Sequence, residues 1–193
     1  ESRYEDPDYA ERAYRIFVEK MRTNATTRAC IFATAHVPAT LLLMEMLEKS
    51  GLITYVGKVS MDRNAPAPLC EESPAVAAAA VEKWLKTSLK KYKNTKPMLT
   101  PRFIPSCTDD LLTSLGRFQK KYHVPVQSHL SENLSEIAWV RELCPYSSDY
   151  GEAYEHFGLF GGNAPTVMAH GVWPGKREFA RIKERGVYIA HCP

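Results

Sequence analysis

The segment from Val126 to Asn133 carries the residues best suited to chemistry. It reads Val-Gln-Ser-His-Leu-Ser-Glu-Asn, so an apolar run delivers His129 at its end and Glu132 follows three residues later. Imidazole nitrogen is a strong ligand for zinc, and a nearby carboxylate can carry protons to and from water. In the alternative interpretation, Ser131 or Asn133 caps a helix and Glu132 favours its first turn. The segment alone supports both interpretations equally.

A second segment of the same design ends at His170. Residues 166–171 read Thr-Val-Met-Ala-His-Gly, and His191 occupies a similar position in Ile-Ala-His-Cys-Pro. Two histidines at equivalent positions of successive strands favour a metal site, because both face the same end of the sheet. His191 is a ligand, an outer donor or a substrate contact, and its spacing does not distinguish these roles. The other histidines are interpreted as local or surface residues: His36, His123 and His156.

Arg102 and Phe103 follow Pro101 in the segment Pro-Arg-Phe-Ile-Pro-Ser-Cys. A guanidinium group donates hydrogen bonds to carbonyl oxygens or anions, and an aromatic ring beside it offers a stacking surface. The pair therefore suits a flat heterocycle that carries a carbonyl group. In the alternative interpretation, which the segment by itself favours, Arg102 pairs with an acidic loop and Phe103 lies in the core.

Short apolar runs alternate with longer segments of helical periodicity. Six runs are candidate strands, namely residues 28–34, 53–59, 96–101, 124–129, 166–170 and 187–191. Helices are predicted over 38–50, which ends at Gly51, after the capping residue Ser73, from Thr108 and over 177–185. This alternation indicates an α/β fold in which helices cover a parallel sheet.

Both an open sheet and a closed barrel satisfy this order of elements, and the polar residues favour the barrel. Arg102, His129, His170 and His191 lie at the ends of successive runs, and in a (β/α)8 barrel those ends meet in one mouth. No Gly-x-Gly-x-x-Gly follows the first run, which argues against a dinucleotide-binding sheet. We therefore predict a partial (β/α)8 TIM barrel over residues 1–193, with about six of eight strands present and the terminal strands missing.

Composition and charge limit the classes of partner. The 193 residues are 45% hydrophobic and 24% charged, which is typical of a soluble globular unit. A net charge of +3 gives no reason to expect nucleic acid or a membrane as partner. The five cysteines are widely spaced without a Cys-x-x-Cys pair, so they fit neither a disulfide framework nor a zinc ribbon. A reducing, cytoplasmic location is therefore predicted.

Several other catalytic classes lack their motifs in this chain. There is no Gly-x-Ser-x-Gly elbow and no phosphate-binding glycine-rich loop that ends in Lys-Ser or Lys-Thr. The His-x-Glu…Pro-Cys-x-x-Cys signature of the small zinc nucleobase deaminases is also absent. A cysteine nucleophile would need a paired base that the sequence does not identify.

The chemical segments together resemble the guanine deaminases of the amidohydrolase superfamily. Four segments match in order and spacing: 101–107, 127–133, 167–171 and 189–193. The segment Gly-Lys-Val-Ser-Met-Asp at 57–62 also resembles that family. The similarity extends through essentially the whole chain, and the His-Leu-Ser-Glu-Asn and Met-Ala-His-Gly segments together are specific.

The resemblance implies a zinc-dependent hydrolysis of guanine to xanthine and ammonia inside a (β/α)8 barrel. His129 and His170 would be zinc ligands, and Glu132 would carry the protons. Arg102 and Phe103 would contact the purine, and a further contact at its edge would come from His191. Related barrels often form dimers, so a homodimer is a further expectation from the resemblance.

The sequence also departs from the family pattern. It contains no His-x-His pair, which supplies two zinc ligands in the family, and the family's metal-binding aspartate would lie beyond Pro193. We therefore expect the chain to be the central part of a longer protein and inactive alone. Two alternatives stay open: a deaminase of another purine, a pterin or a triazine, and a non-catalytic, degenerate barrel that acts as a binding module.

Overall fold

A computed structural model describes residues 1–162 and 164–192. Short strands and helices alternate along this part of the chain. The strands are β1 (Arg28–Phe32), β2 (Ile53–Gly57), β3 (Val59–Ser60), β4 (Thr95–Pro97), β5 (Thr100–Pro101), β6 (Val126–Leu130), β7 (Thr166–His170) and β8 (Tyr188–Ala190). The helices are α1 (Pro7–Arg22), α2 (Val37–Ser50), α3 (Pro74–Lys91), α4 (Asp109–Tyr122), α5 (Leu134–Leu143), α6 (Tyr150–His156) and α7 (Lys176–Arg185), with 3-10 turns at Ser2–Glu5 and Ile104–Ser106.

All strand pairs are parallel, and the neighbours follow the order of the chain. The paired groups are β1-β2-β4, β3-β5 and β6-β7-β8. Lys58 interrupts the second predicted run between β2 and β3, and the third run is interrupted between β4 and β5. A single bridge from Leu99 to Val126 connects that third run to β6. The predicted α/β class with parallel strands is confirmed.

Side-chain hydrogen bonds join β6 to β1, although the two strands belong to different paired groups. The side-chain amide of Gln127 donates to the backbone oxygen of Ile31 at 3.0 Å and to the Thr100 hydroxyl at 2.9 Å. Gly57 leaves room for this layer, because a Cβ atom there would lie 1.7 Å from Thr100 Oγ1 and 2.7 Å from Gln127 Nε2. A flat sheet would keep β1 and β6 several strand widths apart.

The predicted helix ends are largely confirmed; α1 and α6 were not predicted, and α5 was indicated only by its possible caps Ser131 and Asn133. Helix α2 ends at Gly51 with φ +82°, and the side chains of Ser73 and Thr108 accept amide hydrogens at the starts of α3 and α4. Helix α1 begins at the capping residue Asp6 and packs its buried face on α2. Helices α5 and α6 lie in the long connection between β6 and β7, where the sequence shows no strong periodicity.

The last predicted strand, over residues 187–191, is more exposed to solvent than expected. Helices that cover a parallel sheet would bury such a run, yet Tyr188 is 65% exposed and Ile189 is 37% exposed. Within the described residues, β8 pairs only with β7, so its other edge and much of its surface face solvent. No helix in the described part of the chain is long and apolar enough to cross a membrane.

Candidate functional site

The carboxyl ends of β6 and β7 bring His129 and His170 together. In the parallel register His129 pairs with Ala169, and Leu130 pairs with His170. The two imidazole rings lie 5.5 Å apart between centroids, and their planes differ by 22°. The structure therefore places the two predicted metal ligands side by side, as their equivalent strand positions indicated.

A backbone carbonyl holds each of these rings through Nδ1. His129 Nδ1 lies 2.6 Å from the oxygen of Arg102, and His170 Nδ1 lies 2.9 Å from the oxygen of Cys192. A carbonyl oxygen can only accept, so the hydrogen of each neutral ring is on Nδ1 and the lone pair is on Nε2. Metal-binding histidines are commonly oriented by this type of outer contact.

The environment of His129 favours its neutral form. Burial lowers the pKa of this imidazole, the hydrogen bond to the Arg102 carbonyl opposes that shift, and the neighbouring His170 lowers the pKa further. The Phe32 ring also packs on it, with 4.9 Å between the ring centroids. A neutral imidazole is the form that binds metal ions.

Glu132 lies at the same edge of the sheet as the two histidines. Its Oε2 atom is 3.7 Å from His170 Nε2, and 47% of its side chain is exposed. Asn133 caps α5, since its side-chain oxygen accepts from the amide of Glu136 at 2.8 Å. Both interpretations of this segment therefore describe real features: the asparagine caps a helix, and the carboxylate faces a histidine.

Two residues at this edge have left-handed backbone conformations. Ser131 has φ +46° and His170 has φ +76°. Such conformations are unfavourable for residues other than glycine, and they persist where surrounding contacts impose them. The amide of Gly171 donates to the oxygen of Leu130 at 2.8 Å, which joins the ends of the two strands.

Arg102 and Phe103 lie together beside the histidine pair. The Arg102 guanidinium carbon is 5.9 Å from the centre of the Phe103 ring, and the edge of that ring meets Trp139 at 6.1 Å between centroids. Arg102 Nη1 lies 3.7 Å from the sulfur of Met61. In the described chain Arg102 makes no ion pair, and Phe103 is only half-buried. The described residues therefore show neither an acidic partner for Arg102 nor a fully buried Phe103, and the roles of both residues stay predictions.

A buried ion pair holds the segment around Met61, whose sulfur contacts Arg102. Lys58 is buried and pairs with Glu71, whose carboxylate also accepts from the amide of Met61 at 3.3 Å. Burial lowers the pKa of Lys58, and the charge of Glu71 opposes that shift. The pair was not predictable from the sequence, because no pattern around Lys58 indicates a charged partner 13 positions later.

The side chains of the remaining histidines make no hydrogen bond or ion pair with this cluster within the described residues. His191 is exposed and makes no hydrogen bond or ion pair within the described residues. The backbone of His36 caps the start of α2, and its amide donates to the Thr34 hydroxyl at 2.8 Å. His123 and His156 are exposed, which confirms them as surface residues.

Comparison with known proteins identifies the family of the chain. The model of the amidohydrolase family matches residues 1–193. The chain belongs to the amidohydrolase family. Members of this family, including the guanine deaminases, use a metal ion.

Two guanine deaminases are similar to this amidohydrolase. The protein from Rattus norvegicus is 39% identical over 194 residues, which cover all of the chain and 42% of the relative. A crystal structure of guanine deaminase from C. acetobutylicum with guanine bound in its active site has 45% identity and a TM-score of 0.96. That match covers all of the chain and 45% of the solved chain. The chain thus spans less than half the length of these relatives, and the resemblance seen in the sequence is confirmed.

A more distant structure shares the fold alone. Atrazine chlorohydrolase from Arthrobacter aurescens, solved with zinc, has 19% identity and a TM-score of 0.75. The match covers 95% of the amidohydrolase chain and 42% of the solved chain. Parallel strands and helices in this order therefore recur at low sequence identity.

The donor set of the amidohydrolase chain fits part of a metal site. Within the ranges 1–162 and 164–192, no group of three or more His, Cys, Asp or Glu side chains is arranged to hold a metal ion. His129 and His170 nevertheless present two Nε2 atoms that make no hydrogen bond in the described chain, beside the Glu132 carboxylate. Two neutral imidazoles suit zinc and leave further positions for other ligands.

Two buried residues that contact the site were missed in the sequence. Glu178 accepts hydrogen bonds from the Ser131 hydroxyl at 2.7 Å and from the amide of Gly151 at 2.8 Å. The Tyr154 hydroxyl donates to the oxygen of His129 at 2.9 Å. Glu178 lies in the first turn of α7, where acidic residues are common, so its sequence position carried no special signal.

Proposed function

We propose that the protein containing this chain is a guanine deaminase that hydrolyses guanine to xanthine and ammonia. The observation that carries the proposal is the arrangement of His129, His170 and Glu132 at one edge of the parallel strands. The 39% identity to the rat guanine deaminase and the guanine in the similar clostridial structure support the choice of substrate.

We further propose that residues 1–193 form the central part of a (β/α)8 barrel in a longer protein. The six runs would be six of the eight strands, and the missing strands would come from outside the chain. The 42% coverage of the rat relative and the contact between β1 and β6 support this interpretation. The remaining metal ligands would then also come from outside these residues, consistent with the absence of His-x-His.

The metal we propose is zinc, held in part by His129 and His170 through Nε2. A bound zinc ion lowers the pKa of water to about 7, which supplies hydroxide at neutral pH. The two imidazoles are prepared for this role, since carbonyl oxygens already hold both Nδ1 atoms. The zinc in the distant atrazine chlorohydrolase structure is consistent with this choice.

The side chains of this chain would bind the purine and move its protons. Glu132 would take a proton from the attacking water and deliver it to a ring nitrogen of guanine while the water oxygen bonds to the amine-bearing carbon. A second proton transfer to the amino group would then let the carbon–nitrogen bond break and ammonia leave. Arg102 would donate hydrogen bonds to the carbonyl oxygen of guanine, and Phe103 would stack on the ring. His191 would lie at the edge of the purine, although it makes no site contact in the described residues.

We propose a cytoplasmic enzyme without nucleic acid or membrane partners, assembled as a homodimer. The five cysteines are all free, which is consistent with a reducing compartment. The dimer rests only on the resemblance to the family.

A single experiment tests the activity and the role of Glu132. Zinc content and ammonia release from guanine are measured on the full-length protein, on Glu132→Gln and on the matched control Glu142→Gln, an exposed residue of α5. We expect Glu132→Gln to retain zinc and to lose at least about 100-fold in kcat, in line with general acid–base contributions. Glu142→Gln should behave as wild type.

The outcome for the wild-type protein decides between the candidate functions. Activity on a pterin or a triazine but not on guanine would support the neighbouring deaminase alternative. A full-length protein without metal that leaves every tested heterocycle unchanged would contradict the enzyme and support a binding module.

A further inference from the structure

A buried carboxylate next to the site has no role in the proposed reaction. Glu178 lies in the first turn of α7 and is only 2% exposed. Burial of a carboxylate is costly unless its oxygens receive hydrogen bonds. Both oxygens are used here: Oε2 accepts from the Ser131 hydroxyl at 2.7 Å, and Oε1 accepts from the Gly151 amide at 2.8 Å.

The first contact fixes the residue that directly precedes Glu132. Ser131 is buried and has a left-handed φ of +46°. Its side chain is bonded to Glu178, and its backbone oxygen accepts from the amide of Trp173 at 3.0 Å. Trp173, between β7 and α7, and Glu178, within α7, therefore hold Ser131 at two points. The backbone conformation of Ser131 sets the direction in which Glu132 leaves the strand.

The second contact fixes the start of α6. The Gly151 amide lies in the first turn of this helix, where amides have no partner within the helix. The same helix carries Tyr154, whose hydroxyl lies 2.9 Å from the oxygen of His129 and 2.7 Å from Ser128 Oγ. Glu178 thus connects three segments that meet at the histidine pair: the Ser131 loop, α6 and α7.

We propose that Glu178 is a positioning residue that orients Glu132 through Ser131. This inference rests on the proposed function, because it assigns Glu178 to the same reaction. The carboxylate accepts the Ser131 hydroxyl, which keeps Ser131 in its left-handed conformation and holds the Glu132 carboxylate beside His170. Glu178 itself touches neither substrate nor metal. If Glu178 served only to stabilise the fold through its contact with the Gly151 amide, loss of its contact with Ser131 would leave kcat unchanged.

Ser131→Ala separates these two roles in the full-length protein. This change removes the hydroxyl that contacts Glu178 and leaves the bond between Glu178 and Gly151 in place. We expect kcat for guanine to fall about tenfold, the lower range for loss of an outer-shell contact, while KM and zinc content stay within about twofold. The matched control is Ser88→Ala, which removes another buried hydroxyl, bonded within α3 to the oxygen of Trp84.

Glu178→Gln and Glu178→Leu provide the rescue pair. The glutamine oxygen can still accept from the Gly151 amide, and its NH2 group can donate to the Ser131 hydroxyl. We therefore expect Glu178→Gln to retain most of the wild-type kcat. Glu178→Leu keeps neither contact and should lose at least as much kcat as Ser131→Ala.

Hydrogen exchange tests the same contact without any enzymatic assay. The amide of Trp173 donates to the Ser131 oxygen, so its exchange reports on the conformation of that residue. In Ser131→Ala this amide should exchange about fivefold faster, as expected for loss of one hydrogen bond, and it should be unchanged in Ser88→Ala. Wild-type exchange at Trp173 in Ser131→Ala, or a wild-type kcat in that variant, overturns the proposal. If the wild-type protein does not deaminate guanine, the proposed function fails. The exchange of the Trp173 amide still tests whether the contact with Glu178 fixes the conformation of Ser131.

Discussion

The imidazole rings of His129 and His170 lie 5.5 Å apart at the ends of neighbouring strands, and a backbone carbonyl holds the Nδ1 atom of each. Within the described residues neither Nε2 atom makes a hydrogen bond, and His170 Nε2 faces the Glu132 carboxylate at 3.7 Å. This relationship depends on the parallel register of β6 and β7, in which Leu130 pairs with His170.

The first prediction concerns the affinity for zinc. His129→Gln or His170→Gln in the full-length protein should weaken zinc binding at least about 100-fold, because loss of even an outer-shell partner costs 10–100-fold. Zinc per chain is measured by mass spectrometry after dialysis against a competing chelator. His156→Gln, at an exposed position, is the control. Equal zinc retention in all variants would show that the pair does not bind the metal.

The second prediction concerns the close approach at Gly57. A Cβ atom there would meet Thr100 Oγ1 at 1.7 Å, so Gly57→Ala should lower the free energy of unfolding by about 1–3 kcal/mol, as overpacking does. Gly175→Ala is the matched control, since a Cβ at that position meets nothing within 4 Å. Urea unfolding of both variants measures the difference. Equal stability of the two variants would mean that Thr100 and Gln127 can move away from Gly57 at little cost in free energy.

The third prediction concerns pH and the ion pairs of Glu82. Hydrogen bonds from Lys121, Tyr122 and Lys86, in order of effect, lower the pKa of this carboxyl from 4.5 to about 2. A lowered pKa stabilises the fold above the ordinary value, and the stabilisation is lost as the pH falls from 4.5 towards 2. The Tm of Glu82→Gln should therefore lie below that of wild type at pH 7.

The difference in Tm should become smaller as the pH is lowered from 5 to 3, and 1 M salt should reduce it at pH 7, because the pair is exposed and screened. Glu72→Gln, which removes an exposed acid outside any ion pair of the described chain, should show no such dependence. A Tm difference that stays constant with pH would contradict the ionic origin of the stabilisation.

The fourth prediction concerns the binding of guanine by Arg102. Arg102→Lys keeps the charge but loses the planar fork and its stacking on Phe103, so KM for guanine should rise about tenfold, equivalent to about 1.4 kcal/mol. Steady-state kinetics on the full-length protein measure the change, with the exposed Arg12→Lys as control. An unchanged KM would show that the Arg102 side chain does not contribute to guanine binding, since the backbone carbonyl that contacts His129 is the same in both proteins.

The sequence was sufficient to predict the placement of the two histidines, because each ends an apolar run, and Glu132 follows His129 by only three residues. Strand ends in a parallel sheet share one edge, so local patterns alone bring these side chains to the same place. The capping residues Ser73 and Thr108 were predictable for the same reason, since a cap acts on amides two or three positions later.

Contacts between distant parts of the chain were not predictable. Glu178 and Ser131 are 47 positions apart, and neither residue type is unusual at the start of a helix or in a loop. The exposure of β8 was also missed, because an apolar run indicates a strand but does not indicate which elements cover it. The support of Arg102 by Met61 likewise depends on a loop conformation that no local pattern specifies.

The hydrogen bond from Gln127 to Ile31 has a consequence for the order of folding. It joins residues 96 positions apart, whereas the pairing of β1 with β2 joins residues 25 apart, such as Arg28 and Ile53. During synthesis the early strands can pair with each other before Gln127 exists, and the connection between β1 and β6 must wait for it. Contacts of such long range form slowly, because closing a long loop is entropically costly. The hydrogen bonds of Gln127 with Ile31 and Thr100 therefore form only after β6 has been synthesised. The strand that carries His129 is thus also the strand that connects β1 to the later part of the chain.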